Sequence, residues 1–436
     1  MRRKKIHHYL LIVTSVLFFS SIGKPEHLSR PDLKSNGQDF SILIENVLIK
    51  TVTKGDLAGS VLIEGGKIIA VGDTFDVPAG TKKVDGTGKI LTPGLVDSHS
   101  HLGLGPSGGV TEDNENSNPS TPELRIIDSI HPEGVAPHRY SFRDAVREGV
   151  TTVIARPGSG NVIGGMSAVL KLRGGTVDDM ILKFPVDMKM AMGKKGGYAS
   201  KGQFPMTKMG TAYVVRKAMI EAVDYKNSLN KYEAEKAKKK DVIPPKRDLG
   251  HEAMMLVLDK KLPVHVHASP VDDIMTAVRL HDEFGFSKLS IAHGDESYKI
   301  ADILAEKGVM VVVGPQMITY DDKGALINIA DYLVRHGVEV NIMTDADVVQ
   351  QEYLRFQAAV AVKYGMDPAE ALRAVTINPA RWAGLEDRIG SIEVGKDGDL
   401  VLFDGDPFDV RTRVEMVFIE GKLVFDAAAQ KKEGEM

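Results

Sequence analysis

Five residues in this chain have the chemistry of a metal centre: His99, His101, His267, His293 and Asp345. Neutral imidazole and carboxylate together suit zinc and similar divalent ions. Each of the five stands at or just beyond the end of a short apolar run. The runs are Leu91-Thr92-Pro93-Gly94-Leu95-Val96, Val264-His265-Val266, Leu289-Ser290-Ile291-Ala292 and Ile342-Met343. An isolated His-x-His is a weak signal. A pair followed by a histidine on one strand end, a histidine on the next and an aspartate on a last one is a specific signal, because strand ends can deliver ligands to one mouth. Of His265 and His267, only one is expected to reach that mouth. His267, nearer the strand end, is chosen, and His265 is expected to pack or to support a ligand. Asp347 reads as a loop carboxylate, or as a substitute for Asp345 in a distorted site.

The elements that must hold these residues alternate. Apolar runs such as Thr151–Ile154, Val264–His267, Leu289–His293, Val309–Val313 and Val338–Ile342 are separated by amphipathic stretches such as Asp273–Glu283 and Tyr298–Lys307. Strand–helix repetition over residues 93–387 predicts an α/β fold, a (β/α)₈ TIM barrel, whose active sites lie at the carboxyl ends of the strands. Both chain ends alternate like β-structure. Ser60–Glu64, Gly65-Gly66 and Lys67–Val71 read as a hairpin, and so do Val417–Ile419, Glu420-Gly421 and Lys422–Phe425. Residues 40–92 and 388–427 are therefore expected to form a small β-sandwich built from both ends. Residues 103–141 read as a long loop able to act as a lid or to hold substrate. Residues 224–249 read as a solvated helical excursion, and the tail from Ala427 through 428–436 as frayed.

The chain has 436 residues, 43% of them hydrophobic and 26% charged, with a net charge of −4. That composition supports a sizeable core and calls for neither nucleic acid nor an anionic membrane as partner. There is no cysteine, which excludes disulfides, thiolate metal sites and cysteine nucleophiles. Any metal must use His, Asp, Glu or a modified Lys. Met1–Lys5 is basic and Tyr9–Phe19 apolar, so residues 1–23 read as a signal peptide and 24–39 as a linker. This predicts a periplasmic or secreted protein with no membrane association beyond that segment. The alternative reading of the segment is an uncleaved anchor.

The chain resembles the amidohydrolase superfamily, and most closely its extracytoplasmic, imidazolonepropionase-like branch. The resemblance rests on Leu91–His101, Asp113-Asn114-Glu115, Pro157–Asn161 with Gly164-Gly165, Ala292–Asp302, Thr376–Ala380 and Gly390–Leu400. It implies a divalent metal, zinc first, as one or two ions held by His99, His101, His267, His293 and Asp345. It implies that Asp345 acts as general base and that His293 either binds metal or polarises the substrate carbonyl. A second ion usually needs a bridging anion, a carboxylated lysine or a glutamate, for which Lys189 is the available candidate; the alternative is an ordinary lysine at a strand end. Glu115, Arg156, Asn161 and Lys194 are the expected substrate-binding positions, although the loop residues among them could equally only shape the mouth.

Three mouth segments depart from the pattern of close relatives. Gly193-Lys194-Lys195-Gly196 stands for Gly-Glu-Asn-Pro, His267-Ala268-Ser269-Pro270 for His-Ala-His-Arg, and Thr344-Asp345-Ala346-Asp347 for Thr-Asp-His-Pro. The added lysines suggest an acidic group on the substrate. The expectation is a hydrolase of an amide or cyclic amide C–N bond in a small molecule or short peptide. The alternative is a catalytically weak metal-binding paralogue acting as a binding or partner subunit. A homo-oligomer, or pairing with a related hydrolase, is compatible with either.

Overall fold

The computed structural model describes residues 40–107, 110–132, 142–238, 241–346 and 348–434. The expected signal segment, the linker and Asp347 lie outside the described residues. Among the described residues no helix is long and apolar enough to cross a membrane.

The strands that carry the site are β1 (Leu95–Ser100), β2 (Val150–Ala155), β3 (Met188–Ala191), β4 (Val264–Ala268), β5 (Leu289–His293), β6 (Met310–Val313) and β7 (Val340–Ile342). β1 and β2 pair in parallel, and β3 to β7 pair in parallel in chain order. Between the two groups, Ala168–Lys171 runs antiparallel to β2 and Ile163–Met166 antiparallel to β3. A single parallel bridge, Ser100 to Ala346, joins the end of β1 to the segment after β7. The strands form an α/β arrangement of the TIM-barrel-like kind. Their continuous apolar runs, such as Met310-Val311-Val312-Val313, suit strands covered on both faces. Val264, Ile291, Val311, Val340 and Ile342 are all buried. Each contributes about 1.5–3 kcal/mol to folding.

Helices follow the strands with recognisable start and stop signals. Val271–Phe284 begins after Pro270 with Asp272 and Asp273 in its first turn. It buries Ile274, Ala277, Val278 and Leu280 and ends at Gly285 in the left-handed region. Lys208–Ala237 extends 30 residues, and its buried residues stop at Ala222; of the excursion expected over 224–249, the part to Ala237 is helical and residues 241–248 are not.

The two chain ends meet in one eight-stranded sheet. Ser41–Lys50, Asp56–Glu64 and Lys67–Gly72 form an antiparallel meander. Leu400–Phe403 pairs with Ile90–Pro93 from the other end, then with Val414–Ile419, which pairs with Lys422–Asp426. The tail corrects its expectation, because Ala427–Gly434 is helical. Alanine-rich sequence favours helix, and Asp426 Oδ1 accepts from the Ala428 and Ala429 amides.

A buried ionic cluster ties this sheet to the parallel strands. Lys171, fully buried, reaches Asp397 at 2.5 Å, Asp399 at 2.9 Å and Glu420 at 3.3 Å. Lys67 and Arg388 also hold Asp397. Burial works against the Lys171 charge, but Asp399, Asp397 and Glu420 outweigh it and raise its pKa.

The long loop after β1 is packed along part of its course. Ile126, Ile127 and Ile130 are buried in the same core as Leu102, Leu104 and Phe142. The Met166 amide donates to Leu124 O, and the Thr121 amide to Ile163 O.

Candidate active site

β1 enters the site where Gly94 presses on β2. A Cβ on Gly94 would lie 2.1 Å from Thr151 Oγ1, so only glycine allows the strands to approach this closely. At the other end of β1, His99 Nε2 lies 3.3 Å and His101 Nε2 3.4 Å from Asp345 Oδ1. His293 Nε2 lies 3.8 Å from Asp345 Oδ2. Donor atoms of His99, His101 and Asp345 all fall within 4.8 Å of one another. His293 and Asp345 both adopt the left-handed region, with φ of 69° and 53°. Non-glycine residues rarely do this, and such strain gathers where side chains must be aimed.

Hydrogen bonds fix which nitrogen of each ring is free. A carbonyl oxygen only accepts, so the 2.8 Å contact of His101 Nδ1 with Arg156 O and the 3.0 Å contact of His293 Nδ1 with Gly314 O place the proton on Nδ1. Each Nε2 is then the ring nitrogen turned toward Asp345, the one from which a metal ion would displace a proton or take a lone pair. His99 Nδ1 lies 2.7 Å from His265 Nε2, and His265 Nδ1 lies 2.6 Å from Ser290 Oγ. With the proton of each ring on Nδ1, donating from His99 to His265 and from His265 to Ser290, this chain would leave the His99 Nε2 lone pair for a ligand.

Electrostatics agree with a ligand set. Burial drives the pKa of His99, His265 and His267 well below the usual histidine range, and it lowers His293. His101 differs: burial opposes its imidazolium, but the hydrogen bond and charge of Asp345 outweigh that and raise it. Burial opposes the Asp345 carboxylate too, yet His101, His293 and Lys189 hold it well below the usual carboxylate range. Imidazole nitrogens converging on an ionised carboxylate, with the far nitrogens of His101 and His293 anchored on carbonyls, are what a divalent cation requires once it displaces the proton between them. The residues present fit a metal ion.

Asp97 holds this arrangement together. Its Oδ1 accepts from the His99 amide at 3.0 Å, and its Oδ2 accepts from Thr344 Oγ1 at 2.6 Å and Gln351 Nε2 at 2.5 Å. It therefore clamps the end of β1 to the segment carrying Asp345. Burial pushes its carboxyl up to about 6 despite those donors.

Lys189, on β3, donates to Pro157 O at 3.0 Å and lies 3.5 Å from His99 Nε2. Burial lowers its pKa to about 7. The His267 and His293 rings are 4.4 Å apart, beside the tight triad rather than within it.

The expectation that only one of His265 and His267 faces inward is corrected. Residues two apart on a strand share a face, so His265 supports His99 from below while His267 stands higher, against His293. Arg156 is also corrected. It is fully buried, its Nε and Nη2 bind Asp187, and its Nη1 donates to Ser98 O. Trp382 Nε1 binds the same Asp187. With its guanidinium committed below the mouth, Arg156 is a structural group.

Asn161 is buried and ties loops together, donating to Glu115 O and Thr121 Oγ1 and accepting from Tyr198 Oη. The Glu115 side chain and Lys194 are exposed. The lysine that turns inward is Lys195, which is 5% exposed.

Asp113 is a further residue of the mouth. Its charge bears on His101 and Lys189, and its Oδ1 is buried with no hydrogen-bond partner among the described residues. A Cβ on Gly158 would lie 2.2 Å from Asp113 Oδ2, so a larger residue there would push the Asp113 side chain aside.

Known proteins share this architecture. The model of the amidohydrolase family matches residues 90–424. The crystal structure of an amidohydrolase from Thermotoga maritima MSB8 superposes with a TM-score of 0.79 at 39% identity, covering 88% of this chain and all of that one. An imidazolonepropionase of Fusobacterium nucleatum is 27% identical over 84% of this chain and 91% of its own length. The amidohydrolase tasK of Hapsidospora irregularis is 28% identical over 84% of this chain, but the match spans only 40% of that longer protein.

Proposed function

The chain belongs to the amidohydrolase family, and from that premise we propose that it hydrolyses an amide or cyclic amide C–N bond in a small molecule or short peptide, using a divalent metal, zinc first, held by His99, His101 and Asp345. The observation that carries this reading is the convergence of His99 Nε2 and His101 Nε2 on the ionised Asp345. His267 and His293 supply the adjoining position for a second ion. In the neutral form that burial favours, with its proton facing Gly314 O, His293 offers a lone pair and no N–H to a substrate carbonyl, which favours the ligand role. Lys189 is suited to carboxylation, because a lysine near 7 has a substantial neutral fraction, the form that captures carbon dioxide.

The chemistry a divalent ion supplies when bound is activation of water and of the scissile carbonyl. Asp345 accepts the proton of the attacking water and delivers it to the leaving nitrogen. Its low pKa keeps it in the accepting form at neutral pH. His265 and Ser290 hold the His99 ring in place, and Asp97 fixes the spacing between His99 and Asp345.

The closed eight-stranded barrel and the two-layer sandwich at the chain ends are the architecture we associate with this chemistry, over residues 93–387 and over 40–92 with 388–427. The basic and apolar N-terminal segment supports an extracytoplasmic location. The completeness of donors and base disfavours a non-catalytic subunit. Incubating the full chain with N-acyl amino acids, dipeptides and lactams, and measuring amine release, tests the activity. Release from at least one class is expected. No release from any class, with metal bound, would favour the binding subunit instead.

A further inference from the structure

We propose that Lys195 is the anchor for a carboxylate of the substrate, so that the site takes amides bearing a free acid, such as N-acyl amino acids or peptides with a free C-terminus. The inference rests on the hydrolase reading above for the bond that is cut, but not for the group that is bound.

Lys195 is 5% exposed, and its ammonium donates to Ser159 O at 3.0 Å and to Met192 O at 3.2 Å. Among the described residues no carboxylate lies within ion-pair distance of it. The nearest acidic influence, Asp273, pairs with Lys208 at 3.0 Å. Two carbonyls need only a neutral donor, and a buried charge without a counter-ion is costly unless an anion arrives to meet it. An ammonium has three N–H groups, so one remains for a ligand.

The position is at the mouth. Ser159 follows β2 and Met192 follows β3. The Met192 amide donates to His267 O, and the charge of Lys195 bears on the His267 ring. An acid held here would place the rest of a small molecule over His267 and His293, toward Asp345. Burial lowers Lys195 to about 8, which leaves the ammonium as its main form at pH 7.

The test uses the full chain and N-acetyl derivatives of alanine, leucine, methionine and phenylalanine, each as free acid and as carboxamide. Binding is measured by calorimetry, and turnover by amine release. The wild type is expected to bind the acids about 10- to 100-fold more tightly than the amides, as suits a hydrogen bond to a charged group. Lys195→Met is expected to erase that preference, with the loss in KM for the acids. Lys195→Arg, which keeps the charge, is expected to retain part of it and controls for loss of folding. Absence of an acid preference in the wild type, including absence of binding, would overturn the inference, as would a preference that survives in Lys195→Met. Lysine-dependent acid binding without turnover of any probe would uphold Lys195 and count against the hydrolase reading instead.

Discussion

Asp345→Asn is expected to lower kcat by about 10²- to 10⁴-fold, the usual contribution of a positioned general base, while the fold is retained. Asparagine tolerates the left-handed backbone that Asp345 adopts, and its side chain keeps the shape of the carboxylate. It cannot take a proton from water, and it removes the negative charge on which His99, His101 and His293 converge. Circular dichroism checks that the fold is retained, and kcat is taken per folded chain, so the loss is read in chemistry rather than in the amount of folded protein. Turnover unchanged by this substitution would exclude Asp345 as the base.

Lys171→Met is expected to do the opposite, costing stability with little direct effect on chemistry. Removing one partner of a buried ion cluster costs about 3–5 kcal/mol, because the remaining charges lose their compensation. Asp397 keeps Lys67 and Arg388, but among the described residues Asp399 keeps only the Glu420 amide as donor. Asp399 is already held above its ordinary value by burial. Losing Lys171 therefore costs most where Asp399 must be ionised, and the deficit shrinks as pH falls and the carboxyl becomes neutral. Urea unfolding of both proteins at neutral and mildly acidic pH measures this. A deficit independent of pH would assign the loss to packing instead.

The metal-type residues were legible in the sequence because few residue types do this chemistry and because each stood at the end of an apolar run that became a strand. Strand positions held to within a residue or two, as for Leu289–His293. What was not legible depended on partners far apart in the chain. Arg156 looked available for substrate until Asp187, 31 residues away, and Trp382 engaged the same buried cluster. The choice between Lys194 and Lys195 turned on a loop that follows Gly193 at φ 86°, a conformation no local pattern specified. Asp97 and Gln351 joined the site across 254 residues. His265 and His267 share a face of β4, as period-two alternation requires, and His265 supports the His99 ring.

The most direct measurement of the central claim is metal content against turnover in one sample as a chelator strips it. One or two divalent ions per chain are expected. Turnover should fall in proportion to metal removed and return on adding zinc, and His99→Ala should abolish both. Full turnover in metal-free protein, or metal retained unchanged in His99→Ala, would contradict the account.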